Sequence, residues 1–273
     1  MISVVILTLN EGINLQRCLD SVSWSDDIVV VDSGSTDDTV AIARAAGAKV
    51  LVRSFDSFAG QRNHAMSAGE FRHPWVLHLD ADEEVTPELR DEMHSIASRP
   101  DTPFPVYQLP SRLIFMGRWL RRAGMYPAYQ VRLGKADVLR FIDHGHGQRE
   151  VQAPEFVGTC SAALDHYNFS KGINDWFSRH LRYARREALQ SIEEADDQTP
   201  RWQQLWRGDA TSRRRGLKQL ASRMPLRPLL RFFYVYVVNR GFLDGRPGFH
   251  YAVMMAIYQY FIDVNEAELR GCN

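Results

Sequence analysis

Three short runs of aliphatic, largely β-branched residues in the first eighty positions each end on polar or acidic groups. Residues 2–8 (Ile-Ser-Val-Val-Ile-Leu-Thr) lead into Asn10 and Glu11, and residues 27–32 (Asp-Ile-Val-Val-Val-Asp) close on Asp32. Residues 75–79 (Trp-Val-Leu-His-Leu) drive straight into Asp80, Asp82, Glu83 and Glu84. Runs this apolar lack the alternation of a half-exposed strand and predict strands buried on both faces. Segments of helical spacing lie between them. Residues 14–22 place Leu15, Cys18, Leu19 and Val22 on one side, the turn at 33–39 opens a helix that stops at Gly47, and 87–98 reads as another. A further strand over 49–53 and a small helix within 55–69 complete the alternation. The pattern predicts an α/β fold with a mostly parallel sheet and flanking helices. Ligands in such sheets sit beyond the carboxyl ends of the strands. Thr8, Asn10, Glu11, Asp32 and Asp80 all fall there.

Four carboxylates within five residues repel one another unless a cation joins them. Asp80 and Asp82 can both lean on one divalent ion whose other positions hold water or phosphate oxygens, and hard oxygen donors point to Mg²⁺ or Mn²⁺. Taken alone, Asp80-Ala81-Asp82 reads equally well as a solvated loop, with Glu83 and Glu84 favouring the first turn of the next helix. Neither a Gly-x-Gly-x-x-Gly nor a P-loop pattern occurs, so nucleotide phosphates would need a metal or side chains to hold them.

Formal net charge is zero over 273 residues, but it is unevenly spread. Residues 1–100 carry 16 Asp and Glu against 8 Lys and Arg, whereas 201–246 carry 11 Arg and Lys against Asp209 and Asp244. The C-terminal part is therefore expected to face an anionic surface. Acidity in the first part argues against a broad nucleic-acid interface. Three widely spaced cysteines indicate neither a disulfide framework nor a zinc site and suit a reducing compartment. Met1 to Leu7 reads as a first strand rather than a signal peptide.

Beyond residue 100, Arg112, Arg118, Arg121, Arg122 and Arg132 make the middle basic, suiting a phosphorylated substrate. Residues 143–150 (Asp-His-Gly-His-Gly-Gln-Arg-Glu) read as an ordered glycine loop near a ligand, or as a polar hairpin turn. A long amphipathic helix spans 170–194, with Trp176, Phe177, His180, Tyr183 and Ala184 on one side. Arginines 213–215, Lys218, Arg223, Arg227 and Arg231 follow. The segments 229–238 and 249–262 are apolar but too short to span a bilayer, which takes about 20 residues. Basic charge beside short apolar helices reads as an interfacial membrane anchor, the alternative being a helical subdomain packed on the sheet. The boundaries expected are a catalytic domain over 1–168, divided into 1–100 and 101–168, and a helical membrane-associating region over 169–273.

The motifs Val4-Val5-Ile6-Leu7-Thr8-Leu9-Asn10-Glu11, Val29-Val30-Val31-Asp32-Ser33-Gly34-Ser35-Thr36-Asp37-Asp38-Thr39 and Leu77-His78-Leu79-Asp80-Ala81-Asp82-Glu83 resemble, in order and spacing, the family 2 glycosyltransferases of GT-A fold. The resemblance covers about the first 100 residues. It is closest to bacterial transferases of lipopolysaccharide-core and exopolysaccharide assembly, which residues 145–150, His166-Tyr167 and 241–245 also resemble. It implies a nucleotide-sugar donor, usually a UDP-sugar, with Thr8, Asn10 and Glu11 lining the nucleoside pocket and Asp32 accepting from the base. Arg62 and Asn63 fall where the family places diphosphate and nucleoside contacts. Asp82 matches the direct Mg²⁺ or Mn²⁺ ligand, and Asp80 a group reaching ribose or metal. It implies inverting transfer to a lipopolysaccharide-core or lipid-linked glycan acceptor, by a peripheral enzyme on the inner face of the cytoplasmic membrane. Glu150 is the expected catalytic base with Asp143 next, and His144, His146 or His166 could complete the metal or leaving-group site. Transfer onto polyprenyl phosphate ranks lower, for want of spanning helices. A non-catalytic sugar-nucleotide-binding subunit ranks lower too, because the acidic pair and a candidate base are both present.

Overall fold

The first apolar run becomes the middle of a sheet. In the computed structural model, which describes residues 1–144, 147–196 and 226–271, β1 (Ile2–Thr8) pairs in parallel with β2 (Ile28–Asp32) and β4 (Trp75–Asp80). β3 (Lys49–Val52) extends the sheet from β2, again in parallel. Beyond β4 the order runs β8 (Ala128–Lys135), β6 (Val106–Phe115), β12 (Leu164–His166), β5 (Glu83–Val85). β8 is antiparallel to both β4 and β6, β12 is parallel to β6, and β5 is antiparallel to β12. The expected mostly parallel sheet is thus parallel across its first four strands and mixed beyond them. Antiparallel neighbours need no helical crossover, and β6 returns as β8 through residues 116–127, which hold the two-residue strand β7 (Arg118–Trp119).

Helices cover both faces, which is why the strands read as unbroken apolar runs. Val4, Ile6, Val30, Leu77 and Leu79 face a core closed by α1 (Gly12–Ser21), α2 (Thr39–Ala45) and α4 (Pro87–Ser98), through Leu15, Leu19, Ala43, Leu89 and Met93. Val5, Val29, Val31 and Val76 face the other way, onto Ala59, Ala65 and Met66 of α3 (Phe58–Ala68). Two short strands, β9 (Phe141–His144) and β10 (Gly147–Glu150), form an antiparallel hairpin in a separate sheet. The 143–150 motif thus contributes to the paired strands of a hairpin, and Gly145 and His146 lie outside the described residues.

Two compact units divide the chain: residues 1–121 with 126–173, and residues 122–125 with those described from 174 onward. In the second unit α5 (Ile173–Asp196) lays Ala184 and Ala188 against Ile262 of α7 (Gly245–Gly271). α6 (Arg227–Phe233) runs on into a π-helical turn, Tyr234–Val238, and a 3₁₀ turn, Gly241–Asp244, leads into α7. The segment expected as a short helix over 249–262 is thus the middle of a much longer one. Among the described residues no helix is long and apolar enough to cross a membrane. The basic stretch 197–225 lies outside the described residues.

The 241–245 motif has a structural task within the second unit. Gly241 and Gly248 allow close backbone approach, since a Cβ on Gly248 would stand 2.1 Å from the Gly241 carbonyl oxygen. Asp244, buried, accepts the backbone N–H groups of Arg122 (2.8 Å) and Ala123 (2.7 Å). Replacing Asp244 with Ala leaves both donors without a partner and lowers stability by about 1–3 kcal/mol, readable as a shift in urea midpoint with unchanged slope.

Candidate active site

Parallel register brings the strand ends together, with Thr8 opposite Asp32 and Leu7 opposite Asp80. Thr8 Oγ1 donates to Asp32 Oδ1 at 2.8 Å. The Ser35 hydroxyl donates to the same oxygen at 2.5 Å, while the backbone N–H groups of Gly34 and Ser35 donate to Oδ2 at 3.0 and 2.8 Å. Burial alone would raise the Asp32 pKa, but these four donors outweigh it and hold the carboxyl below its ordinary value. They also fill the four acceptor positions of the carboxylate. A further donor therefore reaches Asp32 only by displacing one of them.

The loop after β1 locks into the loop after β2. Asn10, at φ 54°, accepts the Thr36 N–H on its side chain at 2.8 Å and donates its own N–H to Ser35 Oγ at 2.8 Å. The Glu11 N–H donates to Thr39 Oγ1 (2.8 Å) and the Gly12 N–H to Asp37 Oδ2 (3.0 Å). The Glu11 carboxylate accepts from Asn14 (2.8 Å) and from Lys171 Nζ (2.6 Å), which also reaches the Leu9 carbonyl. Burial raises the Glu11 pKa against the pull of these donors.

At the end of β4 the carboxylates separate by role. Asp80 is clamped: Arg62 donates to Oδ1 at 2.7 Å and Arg132 to Oδ2 at 2.6 Å, both guanidiniums at most 2% exposed. Arg132 also donates to Glu83 Oε1 at 2.7 Å, and Glu83 Oε2 accepts the Asp80 N–H at 2.8 Å. Burial, with the Asp80 charge adding to it, pushes Glu83 up to about 8 despite that guanidinium. Glu83 was expected to lead into the next helix. Instead it is a buried member of β5, and the start of α4 is capped by Thr86, whose hydroxyl accepts the Leu89 N–H at 3.2 Å, with Pro87 beginning the helix.

Asp82 meets a different partner. Antiparallel pairing of β12 with β5 sets His166 opposite Glu83, and His166 Nε2 lies 3.3 Å from Asp82 Oδ2. The next N–H, of Tyr167, donates to the Asp82 carbonyl at 2.8 Å. Burial works against a charge on His166, but Asp82, with Glu83 and Asp80 behind it, prevails and holds its pKa up to about 9. Among the described residues no three His, Cys, Asp or Glu converge as a metal cage. The donor set on hand, one carboxylate and one imidazole, fits an ion that takes its remaining ligands from phosphate and water, as Mg²⁺ and Mn²⁺ do.

Thr8 and Asp32 meet, as do Arg62 and Asp80. Asn63 is spent on a clasp: its side chain donates to the Phe141 carbonyl (2.8 Å) and accepts the Phe141 N–H (3.0 Å), tying α3 to the β9–β10 hairpin. Asp143 and Glu150 stand on that hairpin, opposite Gln148 and Phe141 respectively. His78 is a core residue, fully buried against Met66 and Phe141. Sequence reasoning left Arg132 in a general basic patch and His166 among three candidates. The readable signal was the alternation Ala81, Glu83, Val85 against Asp80, Asp82, Glu84, which sends Glu83 inward, where it needs a cation.

With this geometry in hand, the chain matches the model of glycosyl transferase family 2 over residues 3–148, more than half its length. The chain belongs to that family. It is 40% identical over 130 residues to an uncharacterised glycosyltransferase of Rickettsia conorii, covering 47% of this chain and 45% of the relative. It is 32% identical over 105 residues to a lipopolysaccharide core biosynthesis glycosyltransferase of Rhizobium meliloti, covering 37% and 38% of the two. The chain thus spans less than half the length of these curated relatives. Among solved structures, glucosyl-3-phosphoglycerate synthase of Mycobacterium tuberculosis with Mn²⁺, uridine diphosphate and glucosyl-3-phosphoglycerate aligns at TM-score 0.46 and 17% identity, covering 69% of this chain and 77% of that one.

Arg132→Met leaves Glu83 buried beside a charged Asp80 and costs about 3–5 kcal/mol by urea denaturation. His166, whose folded pKa exceeds its usual 6.5, contributes stability in full below about 6.5 and loses it as pH rises through about 9. Glu83, raised from 4.5 to about 8, acts in the same direction. The Tm of metal-free protein therefore falls from pH 6.5 to 9, and His166→Gln flattens the upper part of that fall.

Proposed function

We propose that the chain transfers a glycosyl group, with inversion, from a nucleotide-diphosphate sugar to a saccharide acceptor. The observation that carries this reading is the carboxylate cluster at the strand end, in which Asp82, just after β4, lies 3.3 Å from His166 while Asp80 is fixed by two buried guanidiniums. The donor class is a UDP-sugar. The nucleoside lies over the interlocked loops, near Thr8, Asn10, Glu11 and Asp32. Asp80 keeps one lone pair on each oxygen, because each accepts a single guanidinium bond. Those lone pairs suit a ribose hydroxyl or the edge of an ion's coordination shell. Asn63, spent on its clasp, orders the hairpin rather than the nucleoside.

Asp82 and His166 would hold Mg²⁺ or Mn²⁺, which when bound offsets charge growing on the departing diphosphate. His166 must lose its proton to serve, so ion binding strengthens as pH rises towards 9. The acceptor hydroxyl gives its proton to a carboxylate within hydrogen-bond reach. Glu150 of the hairpin is assigned that part, with Asp143 two cross-strand positions away as its substitute. The Rhizobium relative supports a lipopolysaccharide-core or other lipid-linked glycan as acceptor.

A panel of nucleotide sugars screened by thermal shift with Mn²⁺ tests the donor class. A UDP-sugar raises Tm in wild type, by mass action on the folded state, and a flat panel refutes the reading. Asp82→Asn folds normally but loses at least about 100-fold in transfer. Glu150→Gln keeps donor binding while transfer falls about 100-fold or more, and unchanged transfer moves the base to Asp143.

A further inference from the structure

The helical run 227–238 in the second unit is amphipathic in the wrong sense. Its exposed large apolar residues are Leu229 (62%), Leu230 (39%), Phe233 (53%), Tyr234 (44%), Val237 (42%) and Val238 (56%). Their spacing, in adjacent pairs four apart, traces one stripe along the helix. The other side is packed: Val235 is fully buried, Phe232 and Tyr236 stack on each other at 5.3 Å between centroids, and the two meet Phe249 edge to face at 6.0 and 5.6 Å. Phe242 (47%) and Leu243 (53%), on the turn that Gly241 lets approach the Val235 carbonyl, continue the exposed surface. A surface helix ordinarily turns polar residues to water. An apolar area of this extent marks a contact surface.

Along the chain, the stretch that carries the stripe has exposed charges of one sign. From Leu226 to Ile262 the sole carboxylate is Asp244, which is buried on backbone N–H groups. Arg240 and Arg246 are exposed and Arg231 half-buried, while Arg227 is paired with Glu266 and Asp263. A two-fold pairing of this face with a second copy would set arginines against arginines. Residues 197–225 carry seven Arg and Lys against two Asp, so they match the rim in sign rather than complement it. An anionic bilayer surface satisfies both halves at once: the stripe enters the acyl boundary while the arginines reach the phosphates.

We infer that the Leu229–Val238 stripe with Phe242 and Leu243 is a monotopic docking face for an anionic lipid leaflet. This inference stands apart from the glycosyl-transfer reading and supplies the surface on which a lipid-linked acceptor would be met.

The test is co-sedimentation of the full chain with vesicles of phosphatidylcholine alone and of phosphatidylcholine mixed with phosphatidylglycerol. Wild type partitions onto the mixed vesicles and releases at high salt. Leu229→Ser with Phe233→Ser, both exposed, lowers partition at least about ten-fold without shifting Tm. Arg240→Gln with Arg246→Gln lowers it about 30-fold on the mixed vesicles, at the strength of two cations near an anionic surface. Turnover of a soluble UDP-sugar, followed in the same samples, is unchanged by either pair, which separates failure of this inference from failure of the catalytic one. Equal binding to both vesicle types overturns the inference. So does a dimer in solution that the serine pair converts to monomer, or a serine pair that lowers Tm while binding vesicles as wild type does.

Discussion

A carboxylate held between two buried guanidiniums is what the active end of this sheet depends on. Asp80 takes Arg62 from α3 on one oxygen and Arg132 from β8 on the other, and its N–H is tied to Glu83 from β5. Three elements that arrive from different parts of the chain thereby share one fixed point at the end of β4. Such clusters add little net stability over a well-packed apolar core. What this one supplies is placement, because Asp80 and Glu83 are fixed on either side of the turn that sets Asp82 beside His166. Asp80 and Glu83 carry their own cations, whereas Asp82 faces His166, a partner that titrates.

Much of this was legible in the residues. Unbroken apolar runs over 2–8, 27–32 and 75–79 required strands covered on both faces, and Val4 and Val5, packed into opposite cores, show why alternation was missing. The polar residues at the strand ends do meet at one edge, as parallel pairing demands. The mixed half of the sheet was not legible in the same way. β5, β11 (Val157–Thr159) and β12 are three residues each, too short for a periodic signal, and they find their places by pairing with β6 and with one another.

Side-chain roles were legible in type more than in partner. Asn63 carries the chemistry of a nucleoside contact, yet a primary amide is equally suited to close both hydrogen bonds of a strand end, and Phe141 presents that end to it. Arg132 and Asp80 are 52 positions apart, so nothing local could pair them. The apolar stripe of 229–238 was visible as composition, but its outward orientation is a property of what packs beneath it, namely Phe232, Val235 and Tyr236.

The interlock between the loops after β1 and β2 bears on how this fold could change its ligand. Asn10 with Ser35 and Thr36, Glu11 with Thr39, and Gly12 with Asp37 knit residues 10–12 and 35–39 into one piece, and Lys171 pins its outer edge. Neither loop can be grafted from another protein without stranding the hydrogen-bond partners of the other. Change at this edge of the sheet therefore has to involve two loops and a lysine together, whereas the β9–β10 hairpin is tied in separately, through Asn63 and the buried Phe141.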